Sequence, residues 1–518
     1  MSVETRHSTF AQDIRNNGER FYHPRLSRRQ REIDFTIPAQ LEDKLAEAIE
    51  GGLADKFPEL LPHEADQPLL LTPYDDYEGL EVAIPPEEYL EGWKTLREAN
   101  LRLANHPARI HAMMELEKAG FKKPEKRKGV IDEYIERGIT PQLSDLGHNR
   151  DSVNGKIESK QVHRTDLLEQ GPFSFTSKKR VGSFVNMGAM PDTNGSVLMI
   201  ETAAKMFMRV GVPEVGVFSD PKVQARLAKA VMERLTIDDP LLEGRSDEEK
   251  KFIVDHWRAC VVGVLEVHPR KALERAFLLK DAGLTSFRPY GHSVGRDIIG
   301  TTKLLRKELD DEDEFFPSQI TNEDIALECE QVGADAIVEG VGGGARCTTP
   351  ERSQMIPANA ELAWKLRGRL GIPIIGEGGA VDDIVISILV GMSGVNGSGS
   401  IGGGVFEAPG GMFFFTRDGE KFLKPYGGEA SPRTKFISKR LYLTGLPYFS
   451  EGEQTFNELL TYEESMTQKT LNHWERIALG ATMLGVDEGP YTISAMQNLD
   501  PSPLLEKSPT TEFIQGTH

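Results

Sequence analysis

From about residue 180 onward the chain repeats one unit, a short apolar run that reads as a strand followed by a segment with helical periodicity. The strands are expected at 181–187, 214–218, 260–265, 285–289, 314–318, 335–339, 372–376 and 393–396. Helices are expected at 196–210, 269–282, 296–309, 322–332, 357–370 and 382–391. A helix between two strands returns the chain to start the next strand in the same direction, so such a sheet is parallel. Eight units suit a closed (β/α)8 TIM barrel. A doubly wound open sheet is the alternative, but it carries a GxGxxG turn after its first strand, and 188–195 reads GAMPDTNG. The glycine-rich loops of this chain come late in the series, where phosphate-binding barrels hold their anion.

Those loops lie in 336–411, which contains AIVEGVGGGARCTT, IPIIGEGGA and GVNGSGSIGGGVFEAPGG. In a parallel βα fold, loops that follow strands share one end of the sheet, the end that binds ligands. Cys347 follows GVGGGAR, so exposed amides and Arg346 favour its thiolate, the nucleophilic form; packing as a small residue under the loop is the plainer role. Glu377 ends a strand before two glycines and can accept from vicinal hydroxyls; capping the next helix is its plainer role, one that Asp382 and Asp383 can already fill. Gly378, Gly379, Gly399 and Ser400 can then offer N–H groups to a phosphate.

The length of 518 residues exceeds what one core holds, and the expected division is a mostly helical accessory region over 1–165, a catalytic barrel over 166–485 and a tail over 486–518. In the first region, helices are expected at 39–50, 86–119 and 129–138, and no reactive residues cluster. Past the eighth strand, 412–424 reads as a hairpin turning at Asp418-Gly419, 426–465 as a long flap, 466–483 as a closing helix and 487–518 as a polar tail that wraps or frays. The acidic run 310–314 reads as a solvated loop. A net charge of −19 disfavours nucleic acid or anionic membrane as a partner. Three cysteines without CxxC spacing exclude a disulfide framework, and no spanning run or apolar leader is visible, so a cytoplasmic protein is expected.

GVGGGARCTT resembles the catalytic loop of the IMP dehydrogenase/GMP reductase family, and IPIIGEGGA with GSGSIGGGVFEAPGG resembles its ribose and phosphate segments. KPYGGEAS (424–431) is similar to its flap segment and PYGHSVG (289–295) to its fourth-strand turn. The resemblance covers roughly 180–485. It implies a barrel that assembles as a homotetramer or larger homo-oligomer and acts on a purine nucleoside monophosphate with NAD or NADP. The simplest reaction is IMP to XMP; GMP reduction, a related purine-like nucleotide, or nucleotide binding without catalysis are the alternatives. It implies catalytic roles for Cys347, Thr349, Glu407, Arg440 and Tyr448. Substrate contacts fall to Ala345, Glu377, Gly378, Gly379, Gly399, Ser400, Tyr426, Gly428 and Glu429, and cofactor contacts to Phe287, Arg288 and Gln319. The carbonyls of Gly342, Gly344 and Cys347 are implied to hold K+. Ala345 departs from a serine, Glu377 from an aspartate, Glu429 from a methionine and Phe287-Arg288 from a place with an aspartate. The paired regulatory domain that many dehydrogenases insert after strand two does not fit in 219–258.

Overall fold

A computed structural model describes residues 39–66, 79–151, 162–291, 297–341, 352–356, 358–378, 381–428, 430–431, 434–435, 438, 452 and 454–508. Its centre is a ring of parallel strands: β1 (Val185–Met187), β2 (Val210–Val212), β3 (Val261–Glu266), β4 (Ser286–Tyr290), β5 (Glu314–Phe315), β6 (Ile337–Glu339), β7 (Ile374–Glu377) and β8 (Gly394–Gly397). Neighbours in the chain pair except β5 with β6, and β8 pairs with β1, Val395 opposite Val185. The seam between β5 and β6 is joined by Asp335 N–H to Phe315 O (2.9 Å), Val338 N–H to Pro317 O (2.9 Å) and Gly340 N–H to Ile320 O (2.9 Å). The ring is therefore closed, a (β/α)8 barrel with a mostly helical N-terminal region. Strands covered on both faces tolerate few polar side chains, which is why they read as apolar runs.

The second strand is displaced from the expected 214–218. Pro213 lacks the donor that would extend Val210–Val212, and Gly216 at φ +64° turns 216–219 into a 3-10 turn. Two unforeseen helices, Pro221–Met232 and Asp247–Cys260, connect β2 to β3. The second starts on a capping box in which Ser246 Oγ accepts from Glu249 N–H (3.2 Å) and Glu249 Oε2 accepts from Ser246 N–H (3.1 Å).

Side chains of the strands meet inside the ring in three layers. At the floor, Arg209 Nη2 donates to Glu314 Oε2 (3.1 Å), with Ser177 and Ser286 (3.4 Å) also donating to that carboxylate. Above it Val262, Phe316, Ala336, Val338 and Ile375 form a separate apolar cluster. The mouth layer is polar again, holding Arg288, Ser318, Glu377 and Asn396.

The N-terminal region grips both ends of the barrel. The helix expected over 86–119 is two, Glu87–Ala104 and Pro107–Ala119, because Pro107 has no N–H to continue the first and suits the opening turn of the second. Strand Glu81–Ala83 pairs antiparallel with Phe414–Thr416, the first arm of the expected hairpin, and Met412 N–H donates to Leu60 O (3.0 Å). The second arm, Phe422–Gly427, pairs along its whole length with Gln454–Leu459, so the excursion expected over 426–465 narrows to 428–453. Trp93, Phe406 and Phe414 fill the space beneath this four-stranded sheet. Helix Met466–Leu484 packs under the barrel with Trp474 Nε1 donating to Ser183 Oγ (3.0 Å). The tail wraps as far as 508, its Leu504–Glu506 pairing with Leu146–His148. The acidic run is not all solvated: Asp313 and Glu314 are buried, Asp313 receiving Lys280 Nζ (2.5 Å), because β5 starts inside the run. Among the described residues no helix is long and apolar enough to cross a membrane.

Candidate active site

Alternation along β7 turns Ile375 into the barrel and Glu377 after it, so the carboxylate stands at the C-terminal end of the strand, inside the mouth. Gly378, at φ +79°, turns the chain there and donates its N–H to Asn396 O (3.1 Å). Two donors converge on Glu377 Oε2: Arg288 Nη2 and Asn396 Nδ2 (3.1 Å). Oε1 faces Gly188 at the end of β1. A Cβ on Gly188 would stand 3.4 Å from Oε1 and 2.9 Å from Ser398 Oγ, so the absent side chain is what lets both groups approach.

Ser398 opens the short helix Gly399–Gly402, whose first N–H groups, those of Gly399 and Ser400, have no acceptor within the helix. Gly399 lies against the Tyr426 ring, since a Cβ there would meet ring carbons and the hydroxyl at 3.2–3.3 Å. Ser400 is exposed, Tyr426 is buried on the second hairpin arm and Gly428 follows half-buried. Between them, Gly427 is close to Asp192 Oδ2 from the segment after β1. Glu377, Gly188, Ser398, Gly399 and Tyr426 thus form one continuous ridge, running from a carboxylate to a set of backbone donors. GAMPDT after the first strand, given no functional role from the sequence, supplies part of this ridge; its signal is a glycine directly at the strand end.

On the β4–β5 side, Arg288 is almost wholly buried, with Nε donating to Ser318 Oγ (2.6 Å) and its guanidinium 5.2 Å from the centre of the Tyr290 ring. Gln319 sits at φ +59°, strained for a residue with a Cβ, and donates Nε2 to the Tyr290 hydroxyl (3.0 Å). Its Oε1 is buried, and no described residue donates to it. Phe287 does not line the mouth. One step of alternation turns it to the helix side, where it is fully buried and stacked on Phe315 at 6.1 Å.

Glu407 is fully buried, its Oε2 accepting from Met466 N–H (3.2 Å) at the start of the closing helix, and burial holds its carboxyl above the usual range. Lys424 is buried beside it, donating to Ala408 O (2.9 Å) and Gly411 O (2.8 Å). The Met466 contact ties Glu407 to the closing helix rather than to Glu377. Glu339 at the end of β6 was also unforeseen; its carboxylate is fully buried with no partner among the described residues, and burial raises its pKa well above the ordinary value. Cys347, Thr349, Ala345, Gly342, Gly344, Gly379, Glu429, Arg440 and Tyr448 lie outside the described residues.

Fold and mouth together define a (β/α)8 barrel whose mouth carries a ridge built from the ends of β7, β8 and β1. The sequence model of the IMP dehydrogenase / GMP reductase domain matches residues 201–460, and the chain belongs to that family. Inosine-5'-monophosphate dehydrogenase of Mycobacterium leprae is 30% identical over 168 residues, 30% of this chain and 30% of the relative. The enzyme of the same name from Cryptosporidium parvum is 33% identical over 146 residues, 27% of this chain and 35% of the relative. The chain thus spans about a third of the length of the curated relatives it matches.

Proposed function

We propose that this protein is an oxidoreductase of purine nucleoside 5'-monophosphates that works through a covalent link at Cys347, most simply converting IMP to XMP with NAD. The observation that carries the reading is Glu377, a carboxylate at the mouth with one oxygen held by two donors and the other turned to Gly188. A ribose diol can be accepted by that oxygen. A 5'-phosphate then reaches the amides of Gly379, Gly399 and Ser400 beside Tyr426, along the ridge, while the expected Gly378 amide is already engaged by Asn396 O (3.1 Å).

Cys347, as a thiolate, bonds C2 of the purine ring, and water later cleaves that link and returns the thiol. Thr349 polarises the water, and Arg440 or Tyr448 takes its proton. The β4–β5 edge fits a nicotinamide cofactor because Gln319 Oε1 lacks a donor that a bound carboxamide N–H can supply. When bound, the cofactor accepts the C2 hydride. K+ held by carbonyls of Gly342, Gly344 and Cys347, a cytoplasmic setting and a homotetramer go with this reading. GMP reduction needs Glu407 beside Thr349; Met466 N–H engages Oε2 of Glu407 and no described residue donates to its Oε1, so the length of the flap is what favours the dehydrogenase.

Purine nucleotides presented with NAD and with NADPH, followed by mass spectrometry of Cys347, test the reading. IMP should give reduced cofactor, XMP and a trappable Cys347 adduct, whereas ammonia released from GMP with NADPH would replace it with the reductase. Glu377→Ala should weaken nucleotide binding by about 2–4 kcal/mol, the cost of losing a charged, partly buried acceptor.

A further inference from the structure

We infer that Arg288 is a positioning residue: it holds Glu377 so that a single carboxylate oxygen, Oε1, is presented to the sugar hydroxyls, and this sets the preference for ribose over deoxyribose. The inference rests on the nucleotide reading above and adds the residue that makes its sugar clamp selective.

Each donor of Arg288 recorded in a hydrogen bond has a fixed use. Nε is taken by Ser318 Oγ at 2.6 Å, and that hydroxyl is itself anchored on Phe316 O (3.1 Å). Nη2 goes to Glu377 Oε2, and the guanidinium plane is backed by Tyr290. A guanidinium held at Nε cannot swing with its partner, so it fixes the carboxylate rather than following it. Below lies the apolar layer of Val262, Phe316 and Ile375, which offers no second anion to draw the cation away. Asn396 donates to the same oxygen from β8, so the two donors saturate Oε2 from two sides. Oε1 is left directed to Gly188, where the missing Cβ lets it and Ser398 Oγ come close. A glutamate has one more rotatable bond than an aspartate. Without Arg288 its carboxylate can turn away from the ridge or present either oxygen, and the geometry that tells one hydroxyl from none is lost.

The test compares the dissociation constants of IMP and 2'-deoxy-IMP, read by equilibrium binding to the unaltered protein and to Arg288→Met, Arg288→Lys and Ser318→Ala. The unaltered protein should prefer IMP by about tenfold or more, the value of one charge-assisted hydrogen bond. In Arg288→Met the ratio should fall at least fivefold with the affinity for 2'-deoxy-IMP within about threefold of its original value. Arg288→Lys should restore part of the ratio, and Ser318→Ala should lower it less while keeping the unfolding midpoint. Equal weakening of both nucleotides in Arg288→Met, or an unchanged ratio in both Arg288→Met and Ser318→Ala, overturns the positioning role. Failure of the unaltered protein to bind either nucleotide overturns the functional reading instead, and the inference with it.

Discussion

Exchanging Glu314 for glutamine perturbs the barrel floor and leaves the mouth untouched, because the layer of Val262, Phe316, Ala336, Val338 and Ile375 separates the two. The change preserves volume and removes the carboxylate that Arg209 Nη2 meets at 3.1 Å. Arg209 is then left with neutral acceptors only, the glutamine amide oxygen and Ala259 O (3.3 Å), and the face of Phe316 (4.1 Å), while its Nε already lacks a partner among the described residues. Stranding a buried cation in this way costs about 3–5 kcal/mol. Arg180, 3.6 Å from the same carboxylate but 27% exposed, can hydrate and adds little. Urea unfolding should show the loss as a lower midpoint at unchanged slope, and the double variant Glu314→Gln with Arg209→Met should recover half of it or more. The acid limb should change too. Burial raises the Glu314 pKa, but Arg209, Arg180 and Ser177 outweigh it and leave it below the ordinary value. Its stabilisation is therefore present above the unfolded glutamate value of about 4.3 and lost as pH falls through the lower folded value, so the variant should lose less stability in acid. Nucleotide KM should stay within about twofold. A loss below about 1 kcal/mol, or a double variant no better than the single, would refute the reasoning.

Cys347→Ala should abolish turnover while nucleotide affinity stays within about tenfold, since the thiol bonds in the reaction and contributes little to ground-state binding; residual turnover sinks the covalent route. Arg440→Ala should slow release of the Cys347-linked intermediate by about 10²-fold with the hydride burst intact, and Glu407→Gln should stay within about threefold; the reverse ranking in pre-steady-state traces promotes the reductase. Asp66 accepts from Val197 N–H (2.9 Å) and His63 N–H (3.2 Å), yet burial pushes its carboxyl up to about 7. The folded state then binds that proton more tightly than the unfolded chain, so this group's contribution declines as pH rises from about 4 to 7, by at most ~1.4 kcal/mol per pH step of one. Asp66→Asn lacks this slope and should gain on the unaltered protein between pH 5 and 8; parallel stability curves would count against the assignment.

The barrel was legible because a strand covered on both faces must be apolar, and an acid that interrupts such a run at its end, as Glu377 does before two glycines, stands out. What was hidden depends on register and distance. Phe287 and Arg288 are adjacent, and only the pairing of β4 decides which of them enters the mouth. Arg288 meets Glu377 across 89 positions, and neither residue announces the other. Glu314 hid at the end of an acidic run, where four neighbours of like charge suggest water and the strand start that buries it leaves no local mark. The failed strand at 214–218 had apolar residues enough, but Pro213 and Gly216 punctuate it, and that punctuation outranks composition.

Glu81–Ala83 completes a sheet whose next member, Phe414–Thr416, belongs to the far end of the chain. A shortened protein beginning at residue 166 would bare the ladder edge of Phe414–Thr416 and, with Trp93 gone, uncover Phe406 and Phe414. An open edge flanked by aromatic surface is a template on which a second molecule can add its own strand. Such a fragment is expected to associate and precipitate in proportion to its concentration, because Glu81–Ala83 occupies the place another copy would take.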